Sequence, residues 1–219
     1  MILSARGLGY RIGDRAIVDD VDLDARAGRL LALAGPSGAG KSTLLGLLGG
    51  LLVPSAGEVT LDDVPVRPGD LTLRRRVGLV LQGYGLVTAL TGRENVAIAL
   101  QARGVDRAEV HERTDGVLAA VGLSDVADHL IDDMSGGQQQ RVAVARALVS
   151  APGVLLADEP MSELDADNRE RIVALLTAHA RTGTIVVLAS HDRDVVEICD
   201  DVVELDAGRV VIDPAHTRV

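Results

Sequence analysis

Lys41 is the only lysine in a chain with 22 lysines and arginines, so the other 21 are arginine. It stands in "AGPSGAGKST", residues 34–43, which fits the pattern G-x-x-x-x-G-K-[ST] from Gly35 to Ser42. Gly35, Gly38 and Gly40 allow the backbone of Pro36, Ser37 and Ala39 to turn, so that successive N–H groups face one concavity. A helix starting at the lysine adds its partial positive charge. That arrangement cradles phosphate. Ser42 offers a hydroxyl to Mg²⁺, with Thr43 beside it, and Lys41 reaches the β- and γ-phosphates. A compact ammonium fits between two phosphates inside a narrow loop, where a wide guanidinium fork does not. This explains a lone lysine among arginines.

A second group of chemistry-bearing residues lies in "VLLADEP", residues 154–160. Asp158, at the C-terminal end of an apolar strand, can hold Mg²⁺ through water at the edge where open α/β sheets bind ligands. Glu159 is expected to point the other way, free to act on an attacking water. One carboxylate for a metal and one for a nucleophile is the division that phosphoryl transfer needs.

These groups need strands and helices to hold them. "ILSARGLGYRI" and "AIVDDVDLDAR" alternate apolar and polar residues around the turn "GDR", which predicts an antiparallel β-region. "RLLALAG" is a continuous apolar run, as expected of a strand buried on both faces, and feeds the glycine loop and the helix "KSTLLGLLGG". "GEVTLDD" and "RVGLVLQ" read as further strands. Residues 92–150 carry helical patterns in "GRENVAIALQARG", "DRAEVHERTDGVLAAVG" and "GGQQQRVAVARALV". The rest alternates again: strand "GVLLAD", helix "DADNRERIVALLTAHART", strand "TIVVLAS", helix "RDVVEIC" and the hairpin "DVVELDAGRVVID". Alternating strands and helices predict a mostly parallel α/β core with crossover connections, interrupted by an inserted helical sub-domain at about 83–150 of a single 1–219 domain.

Composition narrows the options. The 219 residues are 47% apolar, ample for a core, but include no Phe or Trp and two Tyr, so Val, Leu, Ile and Ala must fill it. A net charge of −10 disfavours a general nucleic-acid binder. The single Cys199 rules out an internal disulfide framework and suits a reducing compartment. No basic segment precedes an apolar one at the N-terminus, so no signal peptide is expected. The longest apolar run, residues 44–53, is half of the roughly 20 residues that span a bilayer.

"MSGGQQQR", residues 134–141, closely resembles the signature sequence of ATP-binding cassette (ABC) ATPases, usually written LSGGQ, with Met134 for leucine. Other positions match in order. Tyr10 precedes the glycine loop where the family places an aromatic that stacks on adenine. Gln82 resembles the glutamine that meets Mg²⁺ and the attacking water. "SELD", residues 162–165, resembles the dimer-contact loop SALD and ends on Asp165. His191 in "ASHD" stands where the family has its switch histidine. Ser135 can also cap the following helix, while Gly136, Gly137 and Gln138 open a second anion-binding helix start.

The resemblance implies a P-loop NTPase of the ABC ATPase fold that binds ATP with Mg²⁺. Lys41, Gln82, Glu159 and His191 would act in hydrolysis, and Ser42, Gln82 and Asp158 would hold the metal. It implies two ATP molecules held head to tail between two cassettes, identical or not, and a membrane permease partner. The location implied is the cytoplasmic face of the cell membrane. "LADEP" and the compact single cassette look most like the macrolide-exporter and lipoprotein-release group. A soluble assembly ATPase of the iron–sulfur type and the ATPase of the bacterial cell-division pair are the alternatives. Gly83 and Gly85 replace bulkier residues after Gln82, Glu163 replaces alanine and Met161 replaces threonine. "RRR" at 74–76 and His111, His129, His179 and His216 read as solvated surface.

Overall fold

Among the described residues, two sheets share one layer of core. The computed structural model describes residues 1–212. β1 (Ile2–Ile12) and β2 (Arg15–Arg26) form the antiparallel pair expected from their alternation. β3 (Leu30–Ala34) then enters the second sheet and passes through the glycine loop into α1 (Lys41–Leu48). β4 (Ala56–Leu61) and the short β5 (Val64–Pro65) return to the first sheet, whose order is β2-β1-β4-β5. The antiparallel region therefore reaches beyond the first 30 residues, because "GEVTLDD" finds its partner in β1.

Next come α2 (Leu71–Arg74) and β6 (Val77–Val80). Arg74 closes α2, and Arg75 and Arg76 follow it, all three solvent-exposed. Three α-helices then lie between β6 and the next strand, α3 (Gly92–Gln101), α4 (Arg107–Ala120) and α5 (Gly136–Leu148), with two short 3-10 turns, Ser124–Val126 and Ile131–Asp133, before α5. The described residues end with β7 (Val154–Asp158), α6 (Ala166–Arg181), β8 (Ile185–Ala189), α7 (Arg193–Glu197), β9 (Asp201–Asp206) and β10 (Arg209–Ile212). The order β10-β9-β3-β8-β7-β6 is parallel except for the antiparallel edge pair β9–β10.

The continuous apolar strands are explained by which way their residues face. Leu31 and Leu33 of β3, Val154 and Leu156 of β7, and Val187 of β8 pack with α1 and the antiparallel sheet. Their neighbours Leu30, Ala32, Leu155, Ala157, Val186 and Leu188 pack on the opposite face with α3, α4, α5 and α6. Period-2 geometry sends alternate side chains to two separate cores, so neither face can be polar. Among the described residues no helix is long and apolar enough to cross a membrane.

Candidate functional site: a phosphate cradle beside an acid-tipped strand

β3 ends because Gly35 takes φ 136°, a region L-residues rarely adopt, and a Cβ there would lie 2.1 Å from the carbonyl oxygen of Leu205. Gly40, left-handed at φ 102°, precedes α1 and supplies no side-chain cap, so the helix opens with its first N–H groups unserved from within. Lys41 is only 7% exposed, and its Nζ donates to the carbonyls of Gly35 (2.7 Å) and Pro36 (3.0 Å). The ammonium is thus already held across the loop that a phosphate would enter.

In front of it lies a cleft of about 240 Å³ lined by Ser37, Gly38, Gly40, Lys41, Ser42, Thr43, Gln82, Asp158 and Glu159, with Ile17 at its wall. Ala39 turns away into the core, and its carbonyl accepts from Gly208 N. Gln82 sits in an exposed turn after β6, facing this cleft.

Asp158, at the end of β7, is 8% exposed. Burial pushes its carboxyl above the usual range and the neighbouring Glu159 adds to this, while the Ser42 hydroxyl and the Lys41 ammonium pull it down. The Asp158 carboxylate and the Ser42 hydroxyl, with Gln82 on the same cleft, offer oxygen donors, and such a set fits Mg²⁺, a hard cation that prefers oxygen.

Glu159 differs from expectation. Its carboxylate is gripped: Oε1 lies 2.6 Å from His191 Nδ1 and accepts from His191 N (3.2 Å), while Oε2 accepts from Ser190 Oγ (3.3 Å). The cause is strand order. β8 lies beside β7 with Asp158 opposite Ala189, so the residues just past the two strand ends meet. Glu159 also lines a neighbouring cleft of about 340 Å³ with Ser162, Arg169, Ser190, His191 and Asp192.

The signature residues stand apart from the phosphate cleft. Ser135 caps α5 in a capping box with Gln138: Ser135 Oγ accepts from Gln138 N (3.3 Å), and Ser135 N donates to Gln138 Oε1 (2.9 Å). Gly136 and Gly137 form the first turn, and a Cβ on Gly137 would meet the Glu163 carbonyl at 2.7 Å, so that glycine also admits the SELD turn. Asp165 caps α6 by accepting from Asn168 N (2.9 Å). Tyr10 pairs with Val18 across the β1–β2 register and packs half-buried against the core, outside the lining of the cleft. His111 and His129 are exposed, His179 is half-buried on α6, and His216 lies outside the described residues.

Two residues beyond the motif reading also matter. Ser190 stands in "ASHD" and holds Glu159. Arg146 of α5 donates to the carbonyls of Gly85 (2.6 Å) and Tyr84 (2.7 Å), fixing the loop after Gln82. Burial lowers the pKa of that guanidinium. The signal for Arg146 is a charge inside the apolar run "VAVARALV". The Tyr84 hydroxyl is pushed up by burial and by the nearby charge of Glu163.

A strand, glycine loop and helix, with an acid-tipped strand one place beyond the adjacent β8 in the same parallel sheet, define the P-loop α/β class. The model of the ABC transporter family matches residues 18–162, and the chain belongs to that family. An uncharacterized ABC transporter ATP-binding protein of Mycobacterium tuberculosis is 41% identical over 208 residues, 92% of this chain and 63% of that protein. The methionine import ATP-binding protein MetN of Caulobacter vibrioides is 44% identical over 216 residues, 96% of this chain and 65% of the relative. The chain thus spans less than two thirds of the length of these curated relatives. Among solved structures, the ATP-binding cassette MJ0796, in a dimeric post-hydrolysis state bound to ADP and Pi, superposes with TM-score 0.89 at 32% identity over 96% of this chain and 97% of that one.

Proposed function

We propose that this chain is the ATP-binding and ATP-hydrolysing subunit of an ABC transporter, forming one cassette over residues 1–219 with a helical sub-domain at about 83–150. The observation that carries the reading is the convergence of Lys41, Ser42, Gln82, Asp158 and Glu159 on one cleft, while Ser135–Gln138 do not line it. A second anion-binding helix start that does not line its own cradle fits a site completed by another cassette, with Tyr10 against adenine and Asp165 at the seam. The resemblance to a dimeric cassette supports that arrangement, with an identical or a related partner.

Mg²⁺ would be held by Ser42, Asp158 and Gln82 and would offset charge on the β- and γ-phosphates. Lys41 would leave its two carbonyls for the phosphates. Water attacks the γ-phosphorus as the bond to the β,γ-bridging oxygen breaks. Glu159 takes the proton of that water, and His191 Nδ1 holds the Glu159 carboxylate in line. The preserved acid and histidine argue against a nucleotide-gated scaffold without turnover.

A membrane permease is the proposed partner, docked on the loop after β6, where Leu81 and Val87 are 44% and 46% exposed. The chain would then sit on the cytoplasmic face of the membrane. The "LADEP" stretch supports the export or lipoprotein-release type; import is the second reading, favoured by the identity to methionine import proteins. Glu159→Gln is expected to keep ATP binding and slow turnover by roughly 100-fold or more. Near-normal turnover would remove Glu159 from the base role. The same variant, trapped with ATP, should recover a polytopic partner from solubilised membranes. Recovery with soluble partners alone would favour an assembly-pathway ATPase.

A further inference from the structure

Gln140 is the third glutamine of "GGQQQR", and it alone of the three is fully inside, at 2% exposure. It lines neither cleft around Glu159. Every hydrogen-bonding group of its amide is nonetheless engaged, on a single target: the turn that follows β7. Nε2 donates to the Glu159 carbonyl (2.6 Å) and to Ser162 Oγ (3.2 Å), and Oε1 accepts from Glu163 N (2.9 Å). Ser162 Oγ in turn donates to the same Glu159 carbonyl (3.2 Å).

The target is strained. Glu159 has φ 49°, a left-handed conformation costly for a residue with a side chain, and such conformations persist only where the surroundings over-determine them. Glu159 N donates to Ala189 O (3.0 Å) on the sheet side. Gln140 secures the opposite side of the same residue from α5. Held by those two anchors, Glu159 brings its carboxylate to His191 and Ser190.

We propose that Gln140 is a positioning residue for hydrolysis. It clamps the Glu159 backbone to α5, so that the carboxylate stands where it can take a proton from water. This rests on the reading of Glu159 as the general base. The same amide ties the Glu163 backbone to the helix whose first turn is Ser135–Gly137, so the base and the signature turn of one cassette move as a unit.

The test uses Gln140→Met, which keeps the volume and deletes the amide, and Gln140→Glu, which keeps the acceptor for Glu163 N and loses the donors to Glu159. Each is made in the parent and in Glu159→Gln. ATP affinity, single-turnover hydrolysis and thermal melting are measured on the full chain. In the parent, both variants should lower the hydrolysis rate by about 10–100-fold, since a displacement near 1 Å costs about that much, with ATP affinity within about threefold. In Glu159→Gln the same changes should cost less than about threefold, because no base remains to be positioned. A folded Gln140→Met or Gln140→Glu protein with near-parental hydrolysis overturns the proposal. Equal losses in both backgrounds overturn it too, by assigning Gln140 a role that does not pass through Glu159. If neither variant folds, Gln140 is a stability residue and the proposal fails. If Glu159→Gln alone hydrolyses ATP normally, the base reading fails first and is distinguishable.

Discussion

Replacing Lys41 with arginine retains the charge and should still disable the cradle. Lys41 is 7% exposed and its ammonium bridges the carbonyls of Gly35 and Pro36. A guanidinium is too wide for that gap, and the open volume beside it is the 240 Å³ cleft where phosphate would lie. The side chain must therefore strain the loop or intrude into the cleft. Overpacking costs about 1–3 kcal/mol, and a charged hydrogen bond placed badly forfeits a further share of its roughly 1.5–3 kcal/mol. A net loss of about 1.4–2.8 kcal/mol in binding corresponds to ATP affinity weaker by about 10–100-fold. Lys41→Met, which removes the charge without adding width, is the comparison. Equilibrium titration with a fluorescent ATP analogue, with and without Mg²⁺, reads the loss directly. Arginine binding within about twofold of the parent would refute the steric account of the lone lysine.

Three further outcomes are expected. Gly35→Ala places a Cβ against the Leu205 carbonyl at an unfavourable φ; at about 3 kcal/mol it should lower Tm by about 6–12 °C, and an unchanged melt would show that the loop yields freely. Asp158 has its folded-state pKa raised, so its contribution to stability is complete below the unfolded value of 3.8 and is lost as pH rises through the folded one. Asp158→Asn should therefore raise the Tm of the ligand-free protein at neutral pH, with the gain fading toward acid, while Mg²⁺-ATP stabilises it less; a lower neutral Tm would contradict the burial argument. The Cys199 thiol, 2% exposed and pushed up to about 12 by burial, should label with maleimide at pH 8 only on unfolding, and rapid native labelling would show that α7 opens.

Much of this arrangement was legible in residue order. The glycine loop, the acidic strand end and the signature each stand at a junction of strand and helix, and local geometry carries their meaning. Apolar runs without alternation correctly predicted strands buried on both sides. Contacts that depend on strand order were not legible. Local sequence leaves Glu159 a free carboxylate, because nothing in it says that β8 lies beside β7 and delivers His191 to it. The placement of β4 in the first sheet is likewise a matter of pairing. α2 spans Leu71–Arg74, too short for an apolar period, and only its Asp70 cap marks it. Three consecutive glutamines look alike on paper, and only the packing of α5 decides which one turns inward.

The scarcity of aromatic rings has an optical consequence. With no tryptophan and two phenols, this protein is nearly dark in the near ultraviolet. One phenol, Tyr10, lies on β1 opposite Val18, whose chain neighbour Ile17 walls the cleft, and the other, Tyr84, lies in the loop pinned by Arg146. A tryptophan introduced at either position would report from that place alone. Movement of the cradle wall and of the loop after Gln82 could then be timed separately on one polypeptide, without background emission to subtract.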